Sequence, residues 1–554
     1  MNASTGAWTP TGPPDEMGAA APNRVDRRGL WALAVFALSL LFFWSYHDFG
    51  LAPFDEGVLL EGIRLQAEGH LDPVKFTHYS VQYRFFALLF PGGDLDLELV
   101  RLVWAVVRAA TALLLFLVAM RLMSPAWGLL PVACFLALPG PWHKSVVPFA
   151  LCLCLWAMVR TLETGSRIRY CGLALALAAA FALHPYTGVP CAAAWLVLIG
   201  VTPVARYGAA GDARGAGRSL RWHGPFAATL VTATLVLADF LRQGSPLDLV
   251  GHNTGLVTSI LPGTRVFAAQ LMGSTTDARA AISLSLYLMV VPTLAAGLWL
   301  ARPGRANGLD EVACRLVLCL VVVGAFNLAK WVIRLDLSHL IQNAAPLWVL
   351  LALLLRRALA RGWPAVGSAS LRTLTAALPK SVLALWLAAV LVLGLSSRDT
   401  FLGGIGTRLF TETVPLTHPH GVLQVEPEVA RTLTALETII REHSADGDAL
   451  LIIGEPKILH YLTGRPSPLV VPVFAFPANF RANPVGEVIA EIRARDTRLI
   501  VFDDRPIIPI EAYRLVNLAP DLYDFIMTQY RLVAEVDGVQ VRVRSAADGM
   551  IPGR

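Results

Sequence analysis

The chain has 554 residues, of which 55% are hydrophobic and only 16% charged. Soluble globular domains carry about 25% charged residues, so composition excludes a protein whose surface faces mainly water. The net charge of +6 does not indicate nucleic acid, because the excess Lys and Arg sit in short loops between apolar runs and no basic face with interleaved aromatics accompanies them.

Residues 1–28 open on a stretch rich in Gly, Pro, Ala and Thr that predicts disorder. Arg24, Arg27 and Arg28 then precede the apolar run 29–47. No small-residue cleavage site closes that run, so it reads as a retained first span and not a signal peptide. Apolar runs near the ~20 residues needed to cross a bilayer recur along the chain. About eleven candidate spans emerge: 29–47, 99–121, 126–140, 145–160, 170–184, 189–205, 224–241, 282–301, 312–330, 340–356 and 381–397. The short runs 126–140 and 145–160 are also compatible with a re-entrant pair. All the cysteines lie in apolar runs, as small buried hydrophobes do.

Alternate loops differ in charge. One set holds Arg24, Arg27, Arg28, Arg121, Arg160, Arg167, Arg169, Arg206, Arg214, Arg218, Arg221, Arg302, Arg305, Arg356, Arg357, Arg361, Arg372 and Lys380, and the other is sparse in Lys and Arg. The excess of Lys and Arg in cytoplasmic loops puts the first set inside. The transmembrane region is then 29–397, with the loop 48–98 and the tail 398–554 outside. The tail changes character. Glu428–His443 is amphipathic, ALLIIG (449–454) and RLIVF (498–502) read as strands, Pro509–Tyr530 as a helix, and Arg531–Val543 as a hairpin around Asp537-Gly538. The expected fold is a polytopic α-helical membrane protein with a small C-terminal extracytoplasmic α/β domain.

The loop 48–98 carries the densest chemistry. Asp55 and Glu56 follow the first span directly, and Val58, Leu59, Ile63 and Leu65 fit a short interfacial helix bearing Glu61 and Arg64. Carboxylates at a membrane surface are candidate acid–base groups. Their other reading is a helix N-cap. His78, Tyr79, Tyr83 and Arg84 form a polar and aromatic cluster suited either to sugar stacking or to a membrane interface. Later, Lys330, Arg334, Asp336 and His339 bunch between two spans, where charged groups are costly and usually functional. The alternative there is an Arg–Asp pair capping the next helix, with Lys330 snorkelling. His143-Lys144 and His184-Pro185-Tyr186 mark two further outer turns. A single His at a helix end is commonly structural, and both turns are carried as possible substrate contacts.

The segment FDEGVLLEGIRLQAEGHLDPVKF, followed by a span starting near LVRLVWAVVRAA, resembles the opening of GT-C glycosyltransferases such as bacterial protein O-mannosyltransferases and aminoarabinose transferases. The resemblance implies a transferase that moves a sugar from a polyprenyl-phosphate donor to a glycan, lipid or protein acceptor on the outer face of the inner membrane. It assigns the catalytic carboxylate to Asp55, with Glu56 as the fallback. The R-x-D-x-x-H string Arg334–His339 resembles the late outer loop of such proteins. It implies that Arg334, with His339 and Lys330, grips the donor phosphate while Asp336 pairs with Arg334. The string Tyr461-Leu462-Thr463-Gly464-Arg465 resembles one in their periplasmic C-terminal domains, with Gly464 supplying a turn. Members often carry a second acidic residue in the turns that here hold His143 and His184. Neither turn has one, Asp239 is a weak substitute, and no cofactor or divalent metal is indicated. The rival reading is a transporter or lipid flippase. Such proteins place charges near the midplane on broken helices in paired halves, whereas these charges cluster at helix ends.

Overall fold

The computed structural model describes residues 27–72, 80–92, 94–164, 166–207, 226–234, 278–302, 309–333, 337–361, 381, 383–392, 394–395, 405–471, 479–480, 483–506 and 510–545. The first part of the chain is helical: α1 (Arg27–Trp44), α2 (Asp55–Ala67), α3 (Ser80–Leu89), α4 (Leu97–Met120), α5 (Pro125–Ala137), α6 (Val146–Thr164), α7 (Arg167–Leu183), α8 (Pro185–Tyr207), α9 (Ala278–Ala301), α10 (Glu311–Ile333), α11 (Leu337–Ile341) and α12 (Ala345–Arg361). Among the described residues, four helical segments are long and apolar enough to cross a membrane: Leu97–Met120, Trp142–Thr164, Leu284–Ala301 and Glu311–Leu328. Arg28–Trp44, Pro125–Ala137, Tyr186–Ile199 and Leu383–Val392 are apolar but shorter. On α1, Leu30, Leu33, Leu38 and Leu41 are exposed while Val35 and Phe43 are buried. A helix that leaves a row of leucines uncovered is built for lipid and not for water. The chain is a helical membrane protein.

Local sequence explains how the longest helices are set. Asp96 caps α4, its Oδ1 accepting from the amides of Glu98 at 2.8 Å and Leu99 at 3.1 Å. Pro125 starts α5, where its missing N–H is no loss. With 13 residues, α5 rises only about 20 Å, and the chain turns at Gly140 (φ 79°) through a 3-10 turn, Trp142–Lys144, into α6.

Among the described residues, the helical bundle has two differently furnished ends. At one end, Arg121 pairs with Glu163 at 3.2 Å and with Asp310 at 2.8 Å, and Arg356 donates to the Leu122 carbonyl at 2.9 Å. At the other end lie α2, the Gly140–Lys144 turn and the C-terminal part of the chain. That part contains the hairpin β1 (Val414–His418) and β2 (Gly421–Val425), then α13 (Pro427–His443), β3 (Leu450–Ile453), α14 (Leu459–Thr463), α15 (Val485–Ala494), β4 (Leu499–Phe502), α16 (Pro520–Gln529), β5 (Tyr530–Val536) and β6 (Val539–Arg544). The four-stranded sheet has the order β3-β4-β6-β5. Strands β3 and β4 are parallel with Leu450 opposite Leu499, and both are buried throughout, as strands covered on both faces are. The β5–β6 turn places Asp537 and Gly538 at positive φ, the two-residue geometry that Asp-Gly favours.

Two sequence expectations change here. The continuous helix over Pro509–Tyr530 is absent: a 3-10 turn, Glu511–Tyr513, a short turn and then α16 replace it. Arg514 is extended and salt-bridged to Asp504, which interrupts the helix, and Pro520 restarts it. The helix over Asp55–Ala67 forms, but Glu56 through Ile63 are buried, so it is no interfacial helix with a face to lipid. It is clamped between the bundle and the C-terminal part. The Ile458 amide donates to the Pro53 carbonyl at 2.9 Å. Gly57 packs so closely on Lys457 and Ile458 that a β-carbon there would strike their backbone. Beside it, β2 pairs with the segment after α1, through Gly50 N to Gln424 O at 2.8 Å and Gln424 N to Asp48 O at 2.9 Å.

Candidate active site

Two arginines on α4 set the walls of the site. Arg101 is buried with Glu56: Nε donates to Oε1 at 2.8 Å and Nη2 to Oε2 at 2.7 Å. The same guanidinium donates to the carbonyls of His47 at 2.8 Å and Gly50 at 2.7 Å, fixing the connection from α1 to α2. Glu56 Oε2 also accepts from the Ala52 amide at 3.0 Å. Glu56 is therefore engaged in holding the α1–α2 connection; neither it nor Asp55 caps α2, whose N-cap position is Phe54 with no side-chain cap bond. The second arginine, Arg108, donates to the Gly140 carbonyl at 2.6 Å and to Ser145 Oγ at 2.8 Å, fixing the turn that carries His143.

Between these walls, Asp55 Oδ1 lies 3.4 Å from His143 Nε2; the Asp55 side chain is 32% exposed and that of His143 3%. This asymmetry matters: the imidazole backs the carboxylate from inside while the carboxylate stays open to a substrate. Tyr83 completes the inner side. It is fully buried, its ring fills the space beside Gly62, and burial followed by the charge of Asp55 pushes its phenol pKa up. It stays a neutral donor at any working pH. Asp55 and His143 thus meet from separate stretches of sequence, with Tyr83 within the electrostatic reach of Asp55.

A fourth group comes from the C-terminal part. Glu455 follows β3 through Gly454 (φ 99°), which packs against the Asp503 backbone too closely for any β-carbon. Its carboxyl is reached by solvent, yet protein on most sides raises its pKa, as do the charges of Asp503 and Asp55. Asp503 is itself neutralised by Arg505, at 2.8 Å to each oxygen.

Beneath this rim lies a buried polar cluster that fastens α2 to α14. Glu61 accepts from Arg64 at 2.6 Å and is flanked by Lys457 and His460. Burial would raise the Glu61 pKa, but the neighbouring cations hold it below its ordinary value. Burial depresses Lys457, which donates to the Ile452 carbonyl, to about 8. It depresses His460 to about 4, from 6.5. The unfolded chain binds the His460 proton more tightly, so this contribution to stability is complete above pH 6.5 and is lost as pH falls toward 4. Between pH 6.5 and 5 the loss is roughly 2 kcal/mol. Thermal unfolding in detergent should show Tm falling through that range, with His460→Gln flattening the slope. An unchanged slope in His460→Gln would move the acid sensitivity to His418, whose pKa burial also lowers.

The remaining sequence candidates fall elsewhere. His184 and Tyr186 sit at the α7–α8 junction, where His184 is buried and hydrogen-bonded to Thr187 Oγ1 at 3.0 Å, a structural role. Lys144 is half-buried beside His143, Arg84 is half-buried on α3, and His339 is half-buried on α11. The end of α11 and the residue after it touch the site's far wall, since Ile341 and Gln342 pack against Gly140. His78, Tyr79, Arg334 and Asp336 lie outside the described residues, as does the Lys330 side chain. Among the described residues no group of three His, Cys, Asp or Glu is placed to hold a metal ion.

The arginines were not singled out from sequence, although a signal was present. Arg101 and Arg108 are seven apart inside an apolar span, hence on one face of the helix, and charges in such spans face protein and not lipid. Glu455 carries no comparable signal, because only the tertiary docking of Lys457, Ile458 and α14 on α2 brings it within the electrostatic reach of Asp55. No family model matches the chain, and no curated relative does.

Proposed function

We propose that the protein is a multi-pass glycosyltransferase of a bacterial inner membrane that takes a sugar from a polyprenyl-phosphate donor on the outer face. The observation that carries this reading is the Asp55 carboxylate, open to solvent, backed by buried His143 and Tyr83 and placed at one end of an apolar bundle. A lipid-linked donor needs that arrangement: the tail lies between helices while the headgroup meets the site at the membrane boundary. The resemblance of the Asp55-Glu56 segment to GT-C transferases supports the same reaction.

In this mechanism Asp55 removes the proton of the acceptor nucleophile. The nucleophile attacks the anomeric carbon with inversion, and the bond to the phosphate oxygen breaks. The polyprenyl phosphate leaves as an anion needing charge stabilisation and no general acid. Arg334, Lys330 and His339 are assigned to that phosphate, Arg334 by its two-pronged geometry. His143 orients the Asp55 carboxylate.

Donor recognition is tested by thermal unfolding with a panel of polyprenyl-phosphate sugars. One donor at about a hundred times its Kd should stabilise the protein by roughly 2.7 kcal/mol, with the sugar-free lipid phosphate doing less. No stabilisation by any member would count against the reading. A reporter that fluoresces only in the cytoplasm, fused at residue 400, should stay dark; a bright fusion would put the C-terminal part on the wrong side for this chemistry.

A further inference from the structure

Arg108 is fully buried in α4, seven residues and therefore about 10 Å further along the helix than Arg101. Among the described residues no carboxylate lies within hydrogen-bond distance of it. Two of its donors go to one turn instead. Nη2 donates to the Gly140 carbonyl at 2.6 Å and Nε to Ser145 Oγ at 2.8 Å. Ser145 Oγ donates in turn to the Trp142 carbonyl at 2.6 Å. The guanidinium also lies 3.8 Å from the centre of the Trp142 ring and 5.4 Å from that of Phe43, with the Tyr46 hydroxyl beside it. Residues 140, 142 and 145 are thereby fixed on both sides of His143.

We propose that Arg108 is a positioning residue, holding the 140–145 turn at the height where His143 meets Asp55. A buried charge without a carboxylate partner is costly, so stability alone gives little reason to join α4 to this turn with an arginine. What an apolar side chain lacks is the fork. Two N–H groups from one rigid plane reach a carbonyl before His143 and a hydroxyl after it, and the plane stacks on Trp142, which a flexible ammonium cannot reproduce. Trp142 also packs on Tyr46, and Ile341 and Gln342 on Gly140, but those contacts flank the turn without spanning residues 140 and 145 on both sides of His143 as the guanidinium does.

The inference rests on the transferase reading and is tested alongside it, in liposomes, as release of polyprenyl phosphate from the labelled donor panel. Arg108→Lys and Arg108→Met should each lower kcat about 10- to 100-fold, the penalty of a small misplacement of a reacting group, with donor KM changed less than about twofold. Arg108→Met should unfold within a few degrees of wild type, because removal of the buried charge offsets the loss of the donor to the Gly140 carbonyl. Combined with His143→Gln, Arg108→Lys should change kcat less than about twofold, because a residue acting through His143 has nothing left to position. Effects that multiply in the double variant would overturn the proposal, as would a fall of Tm and kcat together in both single variants. If Arg108→Met does not fold, the Arg108→Lys cycle decides alone. Asp55→Asn separates the two claims: its loss of turnover beside a multiplicative cycle removes only the positioning role, whereas its retained turnover removes the transferase mechanism itself.

Discussion

Asp55→Asn is expected to lower turnover by about 10²- to 10⁴-fold, the usual contribution of a positioned general base, while leaving donor binding and Tm near wild type. The substitution is close to isosteric, and the side chain is 32% exposed, so no packing is lost. Only the proton-accepting oxygen is. His143→Gln should cost less, because the imidazole acts on the carboxylate and not on the acceptor. Steady-state release of polyprenyl phosphate, with Tm measured on the same preparations, separates these outcomes. Near-normal turnover in Asp55→Asn would remove the base mechanism even if the donor still bound.

The largest effect on stability is expected at Arg101. Its guanidinium satisfies both Glu56 oxygens and carbonyls of the α1–α2 connection, so Arg101→Ala leaves a buried carboxylate and several carbonyls without donors. Breaking a buried pair in this way costs about 3–5 kcal/mol. Glu56→Gln keeps the shape and part of the hydrogen bonding and should cost less. Both should lower turnover in proportion to the folded fraction. Replacing both partners with Met and Leu should recover much of the lost Tm, since a matched apolar pair carries no desolvation cost. If Glu56→Gln instead abolished turnover with Tm intact, the base would be Glu56 and the roles of the adjacent carboxylates would be exchanged.

What the sequence made legible follows the range of the forces involved. Apolar runs of α4, α6, α9 and α10 are local signals, and so are the buried strands Leu450–Ile453 and Leu499–Phe502 and the Asp537-Gly538 turn. All appear where the sequence placed them. The acidic segment was legible as a candidate site, but not the different surroundings of its two carboxylates. Asp55 and Glu56 are neighbours of like chemistry, and only the direction of Arg101 on α4 distinguishes them. The amphipathic reading of α2 failed for a related reason. Its apolar residues fit an interfacial helix equally well, and the partner burying its other face lies some 400 residues later in the chain, at Lys457 and Ile458. The hairpin β1–β2 also went unseen: its five-residue strands pair locally with each other, but β2 is further held through Gln424 by Gly50 and Asp48 across the junction. Local patterning carries no trace of such non-local pairings.

Transfer by the purified protein in liposomes tests the central claim most directly, using polyprenyl-phosphate donors labelled in the sugar and a membrane-lipid and glycan extract as acceptor. Wild type should release polyprenyl phosphate from one donor of the panel and place label in a non-donor product of inverted anomeric configuration. Asp55→Asn should do neither at more than about 1% of that rate. Equal label movement by wild type and Asp55→Asn, or label that crosses the bilayer still attached to intact donor, would contradict the account and favour a lipid carrier.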